Sequence, residues 1–210
     1  MNLHFAPMAC SLATRIALYE AGAPASFTSV NLKSKSLADG SSFLDLAPLG
    51  QVPALLIDDG TVITESTAVL QYVADRFPES KLAPPSGLQR TRLQQWLGFI
   101  GTELHKGIFI PLLDLHASDE VKRWGRDKLA SRFALLQAHL ERQDLLLDEI
   151  SVADAYLFTI LNWTRVTGID LSRWPAIAAY HQRLAQRPAF RKATAEEWAL
   201  YQAEEANKNN

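Results

Sequence analysis

The one cysteine of the chain, Cys10, stands where a thiol could be reactive. It follows a predicted strand over 2–5 and a turn that contains Pro7, and it lies directly before a predicted helix. Unpaired amides and the dipole at a helix N-terminus favour an anion, so this position favours the thiolate, although an isolated cysteine is about as often an inert core residue. Because Ala13 stands where a resolving cysteine would be expected, redox chemistry here must use a second thiol from a ligand.

Two further segments in the first half could hold a peptide-like ligand. Val52 precedes Pro53 at the start of a predicted strand, and a cis bond there, facing Cys10, would let the Val52 backbone pair with an extended peptide. Glu65 and Ser66 lie between the last predicted strand and its helix, where amides and a hydroxyl can bind a carboxylate while Glu65 accepts an ammonium. Most clusters of this kind at such a junction are simple helix caps, so the Glu65 junction by itself favours that interpretation.

In the second half, His105 is the histidine that could face a ligand. It lies on the first long predicted helix, with Phe109 four positions later on the same face. A lone helical histidine is more often a surface or satisfied core residue, so spacing alone leaves both interpretations open. The five histidines and the single cysteine show no spacing suited to a metal site, and no metal is expected.

The elements that must position these residues change character near residue 80. Before it, the pattern predicts short strands over 2–5, 27–32, 52–57 and 61–64 and helices over 11–22 and 66–76. Asp59 and Gly60 between the last two strands indicate a tight hairpin. The order βαβ, loop, ββα predicts a thioredoxin-like domain.

Beyond that point every predicted element is a helix, namely 89–115, 119–143, 152–167, 175–186 and 189–202. Ser151 and Asp154 form an N-capping signature before the most apolar helix, which is therefore predicted to be the buried central one. The fold class is thus α/β plus all-α. The predicted parts are a thioredoxin-like domain over 1–78, a Pro/Ser/Gly-rich linker over 79–88, a helical domain over 89–203 and a frayed tail over 204–210.

Composition excludes several classes of protein. Hydrophobic residues make up 48% and charged residues 21% of the chain, as in a soluble globular protein. A formal charge of −2 provides no basic field for nucleic acid or an anionic membrane, so neither is an expected partner. The chain shows no signal-peptide pattern and no apolar run of the roughly 20 residues that span a membrane. Its single cysteine suits a reducing compartment, so we expect a cytoplasmic protein.

Together these segments resemble the glutathione transferases, specifically the bacterial beta class. The resemblance covers nearly the whole chain and rests on the order and spacing of short motifs: PMACSL (7–12), GQVPAL (50–55), LIDDG (56–60), TES (64–66), QYVAD (71–75), ELHK (103–106) and SVADAYLF (151–158). It implies the same two-domain fold and glutathione as the co-substrate.

Residue by residue, the resemblance implies a glutathione site on the first domain. Its members would be Cys10 at the glutathione sulfur, Lys35 at the glycine carboxylate, Val52 ahead of a cis Pro53 at the cysteinyl backbone, and Glu65 with Ser66 at the γ-glutamyl end.

The helical domain would add a second set of residues. The resemblance implies that Thr102, Glu103 and His105 complete the glutathione site, with His105 near the sulfur and Glu103 reaching the ligand of a partner subunit. Phe109 and Trp163 match positions that line the hydrophobic substrate pocket. Cys10 and His105 are the predicted catalytic residues.

Two positions depart from the family pattern. Gly98 stands where relatives often carry an asparagine whose side chain makes a contact, and Leu147 stands where relatives usually place a glycine before the capping signature. Gly98 cannot supply a side-chain contact. Leu147 puts the conformation of its loop in question.

The expected function is conjugation of the glutathione thiolate to small hydrophobic electrophiles by a homodimer. The dimer follows from the resemblance and from Gly98 and Gly101, whose small size permits close approach of a second helix. One alternative is glutathione-dependent disulfide exchange or reductive dehalogenation through a Cys10 mixed disulfide. The other is a non-catalytic, ligand-binding or regulatory member of the same fold.

Overall fold

The computed structural model describes residues 1–208. The strands are β1 (Asn2–Phe5), β2 (Ser26–Asn31), β3 (Ser36–Leu37), β4 (Ala54–Leu56) and β5 (Val62–Thr64). The helices are α1 (Leu12–Glu20), α2 (Ser66–Arg76), α3 (Gly87–Phe99), α4 (Ile110–Leu113), α5 (Asp119–Leu140), α6 (Val152–Asn162), α7 (Thr164–Thr167), α8 (Pro175–Ala185) and α9 (Pro188–Lys208). A π-helical segment, Ile100–Phe109, joins α3 to α4 without a break.

The chain forms two compact units. The first unit contains residues 1–82 and the C-terminal residues from Arg187 onward, and the second contains residues 83–186. The last helix therefore differs from its predicted place in the helical domain, because α9 packs along α1 in the first unit. The predicted frayed tail is also helical over 204–208, whereas Asn209 and Asn210 lie outside the described residues.

The first unit has the predicted thioredoxin-like order. Its sheet has the strand order β3-β2-β1-β4-β5, with β1 and β2 parallel and the other pairs antiparallel. The β4–β5 hairpin turns at Gly60, which has a φ of +88° and whose amide donates to the carbonyl of Ile57 at 3.0 Å. The two-residue strand β3 is absent from the sequence prediction.

Within residues 1–208, every secondary-structure element of the second unit is a helix, as predicted. Helix α6 is buried along nearly its whole length and is the central helix. The Asp154 carboxylate caps it by accepting hydrogen bonds from the backbone amides of Ser151 at 2.9 Å and Leu146 at 3.1 Å. Tyr180 on α8 donates to the same carboxylate at 2.8 Å. These bonds satisfy a fully buried carboxylate, whose pKa burial raises.

Candidate active site

Cys10 lies in the turn between β1 and α1. This turn, residues 6–11, is called the thiol turn below. The Cys10 Sγ donates a hydrogen bond to the carbonyl oxygen of Val52 at 3.1 Å, and the Val52–Pro53 bond is cis, as predicted. The Ser11 hydroxyl closes the turn through 3.3 Å hydrogen bonds to the amide and carbonyl of Ala6. The structure thus brings Cys10 and Val52 together at one end of the sheet.

A buried carboxyl group supports the thiol turn from behind. The Met8 amide donates to Oε2 of Glu197 on α9 at 2.8 Å, and Glu197 is fully buried. Burial raises the pKa of Glu197 to about 8, although the Arg15 guanidinium and the Met8 amide oppose the shift. The Arg15 Nε lies 3.4 Å from Glu197 Oε1, and another of its guanidinium nitrogens lies 3.3 Å from Glu196 on the same helix. The turn that carries the thiol is therefore fixed by α9.

Arg15 also packs between two aromatic rings. Its guanidinium carbon lies 4.2 Å from the ring centroids of both Phe5 and Phe27. Cation–π attraction and the two glutamates of α9 together compensate for the burial of this cation, which is only 4% exposed.

Three residues of the predicted glutathione segments have unusual backbone geometry. Met8, Lys35 and Glu65 have φ values of +60°, +56° and +67°, in the left-handed region that side chains disfavour. Such conformations cluster at functional sites because the surrounding structure must enforce them. The Lys35 Nζ donates to the carbonyl of Gly50 at 2.8 Å, next to the Val52 segment. Glu65 is exposed, whereas Ser66 is buried at the start of α2.

In the second unit, four aromatic side chains form what we call the His105 cluster: His105, Phe109, Tyr156 and Trp163. The His105 Nδ1 lies 2.7 Å from the Tyr156 hydroxyl oxygen. The ring centroids of His105 and Trp163 are 5.1 Å apart, and those of Phe109 and Trp163 are 6.0 Å apart. Burial, assisted by the charge of Lys106, lowers the pKa of His105 to about 4. The imidazole is therefore neutral at physiological pH.

Thr102 and Glu103 precede the cluster on the π-helical segment. The Thr102 hydroxyl donates to the carbonyl of Gly98 at 2.9 Å. The Glu103 carboxylate accepts two hydrogen bonds from Arg132 on α5, at 2.9 and 2.7 Å. Arg132 therefore orients Glu103, a role that its position among alternating charges on α5 did not indicate.

The geometry of the π-helical segment also explains why residue 107 is a glycine. The amide of Ile110 bonds the carbonyl five residues earlier, that of His105, which is the π-helical pattern. A Cβ on Gly107 would lie 2.8 Å from the carbonyl oxygen of Thr102, also five residues earlier, so only glycine fits there without distortion.

The two positions that depart from the family pattern have different surroundings. Gly98 is exposed, and a Cβ there would meet no atom within 4 Å. Leu147 is 9% exposed and directly follows Leu146, whose amide is bound by Asp154. The turn before α6 thus keeps its cap without a glycine at 147.

Three supporting residues were not predicted as part of the site: Arg15, Tyr156 and Glu197. Tyr156 stands inside the SVADAYLF motif and was assigned only to the apolar core. Arg15 and Glu197 carry no local signal, except that each is a charged residue within an otherwise amphipathic helix. Among residues 1–208, no group of histidine, cysteine, aspartate and glutamate side chains could hold a metal ion. Within that same range, no helix has the length and apolar character of a membrane span.

Comparison with known proteins gives consistent matches. The models for the N-terminal and C-terminal domains of glutathione S-transferase match residues 7–76 and 100–188. The glutathione S-transferase GstA of Escherichia coli O157:H7 is 40% identical over 199 residues, which cover 94% of this chain and 98% of GstA.

Solved structures agree with these matches. A sphingomonad glutathione S-transferase complexed with glutathione is 41% identical, with a TM-score of 0.90, and the match covers 94% of this chain and 98% of that one. A bacterial beta-class glutathione S-transferase from Sphingomonas chungbukensis is also 41% identical, with a TM-score of 0.90 and coverage of 94% and 98%.

Proposed function

The chain belongs to the glutathione S-transferase family, and from that premise we propose how its residues conjugate glutathione to small hydrophobic electrophiles. The observation that carries the proposal is the thiol turn, in which Cys10 contacts Val52, on a chain that matches a named glutathione S-transferase along nearly its whole length. The reaction forms a carbon–sulfur bond between glutathione and the electrophile. With a chlorinated nitroaromatic, the carbon–chlorine bond breaks, chloride leaves and the thiol proton passes to solvent.

Glutathione binds the first unit through small polar anchors. The Val52 carbonyl accepts a hydrogen bond from the Cys10 thiol and has a second lone pair. This lone pair accepts from the cysteinyl amide of glutathione, which binds in an extended conformation beside the Val52–Pro53 segment. Lys35, held against the Gly50 carbonyl beside that segment, pairs with the glycine carboxylate. Glu65 accepts the γ-glutamyl ammonium, and Ser66, at the start of α2, binds its carboxylate with the amides there.

The sulfur of glutathione must be stabilised as the thiolate before it attacks. The start of α1 beside Cys10 provides amides and a helix dipole that favour the thiolate. The His105 imidazole, neutral because of its burial, supplies a hydrogen bond rather than a full positive charge. Phe109 and Trp163, which contact each other in the His105 cluster, hold the apolar part of the electrophile.

Three residues of the helical unit are assigned to the proposed homodimer. Glu103, oriented by Arg132, reaches the ligand of a partner subunit in a homodimer, and Thr102 lies beside it on the same segment. Gly98 offers an open, side-chain-free surface for the second copy. We assign the protein to the cytoplasm, as its single cysteine suggests. Sedimentation that gives a monomeric mass would refute the dimer.

The anchors provide the first test. Lys35→Ala should raise the KM for glutathione roughly tenfold or more, because a charge-assisted hydrogen bond to a carboxylate is lost. The matched control is Lys33→Ala, which removes an exposed lysine two residues away and should leave KM unchanged. Conjugation is followed with a chlorinated nitroaromatic, and binding by calorimetry. Absence of glutathione binding by the wild-type chain would overturn the proposal.

A second test separates conjugation from thiol exchange. In Cys10→Ala, the helix N-terminus and His105 remain, so conjugation should survive at least in part, whereas glutathione-dependent disulfide reduction should disappear. Intact mass after exposure to glutathione, with and without reductant, shows whether Cys10 forms a mixed disulfide. Disulfide reduction that is faster than conjugation in the wild type, and lost with Cys10, would replace conjugation as the main activity.

A further inference from the structure

The two nitrogens of the His105 ring differ in whether they form a hydrogen bond. Nδ1 lies 2.7 Å from the Tyr156 hydroxyl oxygen, and this is the one hydrogen bond that the ring makes within residues 1–208. The ring is 5% exposed and is held edge-on against Tyr156 and Trp163. Nε2 therefore remains available to an acceptor or donor from outside the described chain.

The chemistry of the two partners sets the direction of the bond. A phenol, with a pKa of about 10, is a far stronger acid than the N–H of a neutral imidazole, whose unprotonated nitrogen is in turn a good base. Tyr156 donates, and Nδ1 accepts.

The protonation state of His105 follows from this direction. A neutral imidazole carries one proton, on either Nδ1 or Nε2. His105 is neutral because burial disfavours its charged form. A nitrogen that accepts from Tyr156 cannot carry that proton, so the proton lies on Nε2.

We propose that Tyr156 is a positioning residue that fixes His105 in the tautomer protonated on Nε2, and that His105 thereby acts as a neutral hydrogen-bond donor and not as a base. The inference rests on the proposed function only in taking the thiolate of glutathione as the acceptor. A bond from N–H to an anion is stronger than one between neutral groups, so the donor stabilises the thiolate after the proton has left.

The tautomer can be measured without any reaction. Protein labelled with 15N at its histidines is examined by long-range proton–nitrogen correlation at pH 7, and the His105 signals are identified by their loss in His105→Gln. The wild type should show the pattern of an Nε2–H tautomer. Tyr156→Phe, which keeps the ring and removes the hydroxyl, should shift His105 toward a mixture of tautomers.

The control is Tyr180→Phe, which removes another buried tyrosine hydroxyl from the same unit, one bonded to Asp154. It should leave the His105 signals unchanged. An Nδ1–H pattern in the wild type, or an unchanged tautomer in Tyr156→Phe, would overturn the inference whatever the activity.

Kinetic measurements test whether the Nε2–H group of His105 contributes to conjugation. Loss of the fixed tautomer in Tyr156→Phe should lower kcat/KM about fivefold, the equivalent of one ordinary hydrogen bond. His105→Gln, whose amide nitrogen can occupy the place of Nε2, should retain more kcat/KM than His105→Asn, whose shorter amide cannot. Equal losses in the two His105 variants would overturn the role of Nε2 as donor. Full activity in both, with the tautomer as expected, would instead refute the proposed role of His105 in conjugation.

Discussion

The thiol turn and the His105 cluster each contain a buried ionisable group, but they are stabilised in opposite ways. Burial raises the pKa of Glu197 to about 8 and lowers that of His105 to about 4, so in both places it favours the neutral form. Glu197 lies beside a buried cation, Arg15, whereas His105 is bonded to a neutral hydroxyl. The buried group of the first region thus lies against a cation, whereas that of the second is hydrogen-bonded to a neutral group.

The two regions also differ in the sequence separation of the residues that their hydrogen bonds join. The bond between Met8 and Glu197 joins residues 189 positions apart, whereas that between His105 and Tyr156 joins residues 51 positions apart. Damage to the first region should therefore affect how α9 packs on α1, and damage to the second should stay local.

The largest effect is expected from Glu197→Ala. The Met8 amide loses its acceptor and Arg15 keeps only the partly exposed Glu196, so we expect a loss of about 3 kcal/mol in the free energy of unfolding, measured with urea. The control, Glu196→Ala, removes a carboxylate that is 40% exposed and should cost about 1 kcal/mol or less. Equal losses in the two variants would show that burial of Glu197 is not what matters.

The burial of His105 should instead make the free energy of unfolding fall at acidic pH. The pKa of His105 is about 4 in the folded chain and about 6.5 when unfolded, so between these values the unfolded chain binds the extra proton. The contribution of neutral His105 to the free energy of unfolding is fully present above pH 6.5. It is lost as the pH falls through 4, by up to about 3 kcal/mol.

His105→Gln should flatten this acid dependence in thermal unfolding measured from pH 7 to 4. It should not abolish it, because burial also lowers the pKa of His181 to about 4. His116→Gln, at an exposed histidine, is the control and should leave the slope unchanged. An unaltered slope in His105→Gln would mean that His105 is not buried in its neutral form.

Two glycines next test whether the His105 cluster depends on backbone geometry. Gly107→Ala places a methyl group against the Thr102 carbonyl and should cost about 2 kcal/mol, with altered His105 signals. Gly98→Ala, in the same continuous helical run, meets no atom of its own chain within 4 Å, so it should leave the His105 signals unchanged and should not cause a comparable loss of stability. Both are measured by urea unfolding. Similar effects of the same sign would argue against the π-helical close approach.

The smallest effect is expected from Arg132→Gln. Arg132 and Glu103 are about one third exposed, so their ion pair should contribute less than about 1 kcal/mol in urea unfolding, in contrast to the buried pair at Glu197. A loss comparable to that of Glu197→Ala would remove the distinction between the two regions.

The sequence predicts most of the fold because strand alternation and helical periodicity are local signals. The βαβ and ββα order, the hairpin at Gly60 and the buried α6 are all predicted correctly. The two-residue strand β3 is too short to show alternation. The π-helical segment is predicted only as helix, because a shift of the hydrogen bond by one residue hardly alters the hydrophobic period, and Gly107 is its one visible sign.

The site is less predictable from the sequence than the fold. The motifs predict Cys10 and His105 as site residues, and the structure shows the hydrogen-bond partner of each, Val52 and Tyr156. Glu197 lies on a helix that periodicity predicts but cannot assign to α1, since packing partners far apart in sequence leave no local pattern. The hydroxyl of Tyr156 is hidden in an apolar run, where a tyrosine and a phenylalanine satisfy the same pattern.

The packing of α9 on α1 has a consequence for biosynthesis. The ribosome releases Met8 long before Glu197, which lies 189 residues later, so the nascent thiol turn has no acceptor for its amide while the helical unit is being made. The thiol turn is therefore made early but receives this hydrogen bond only after α9 has been synthesised.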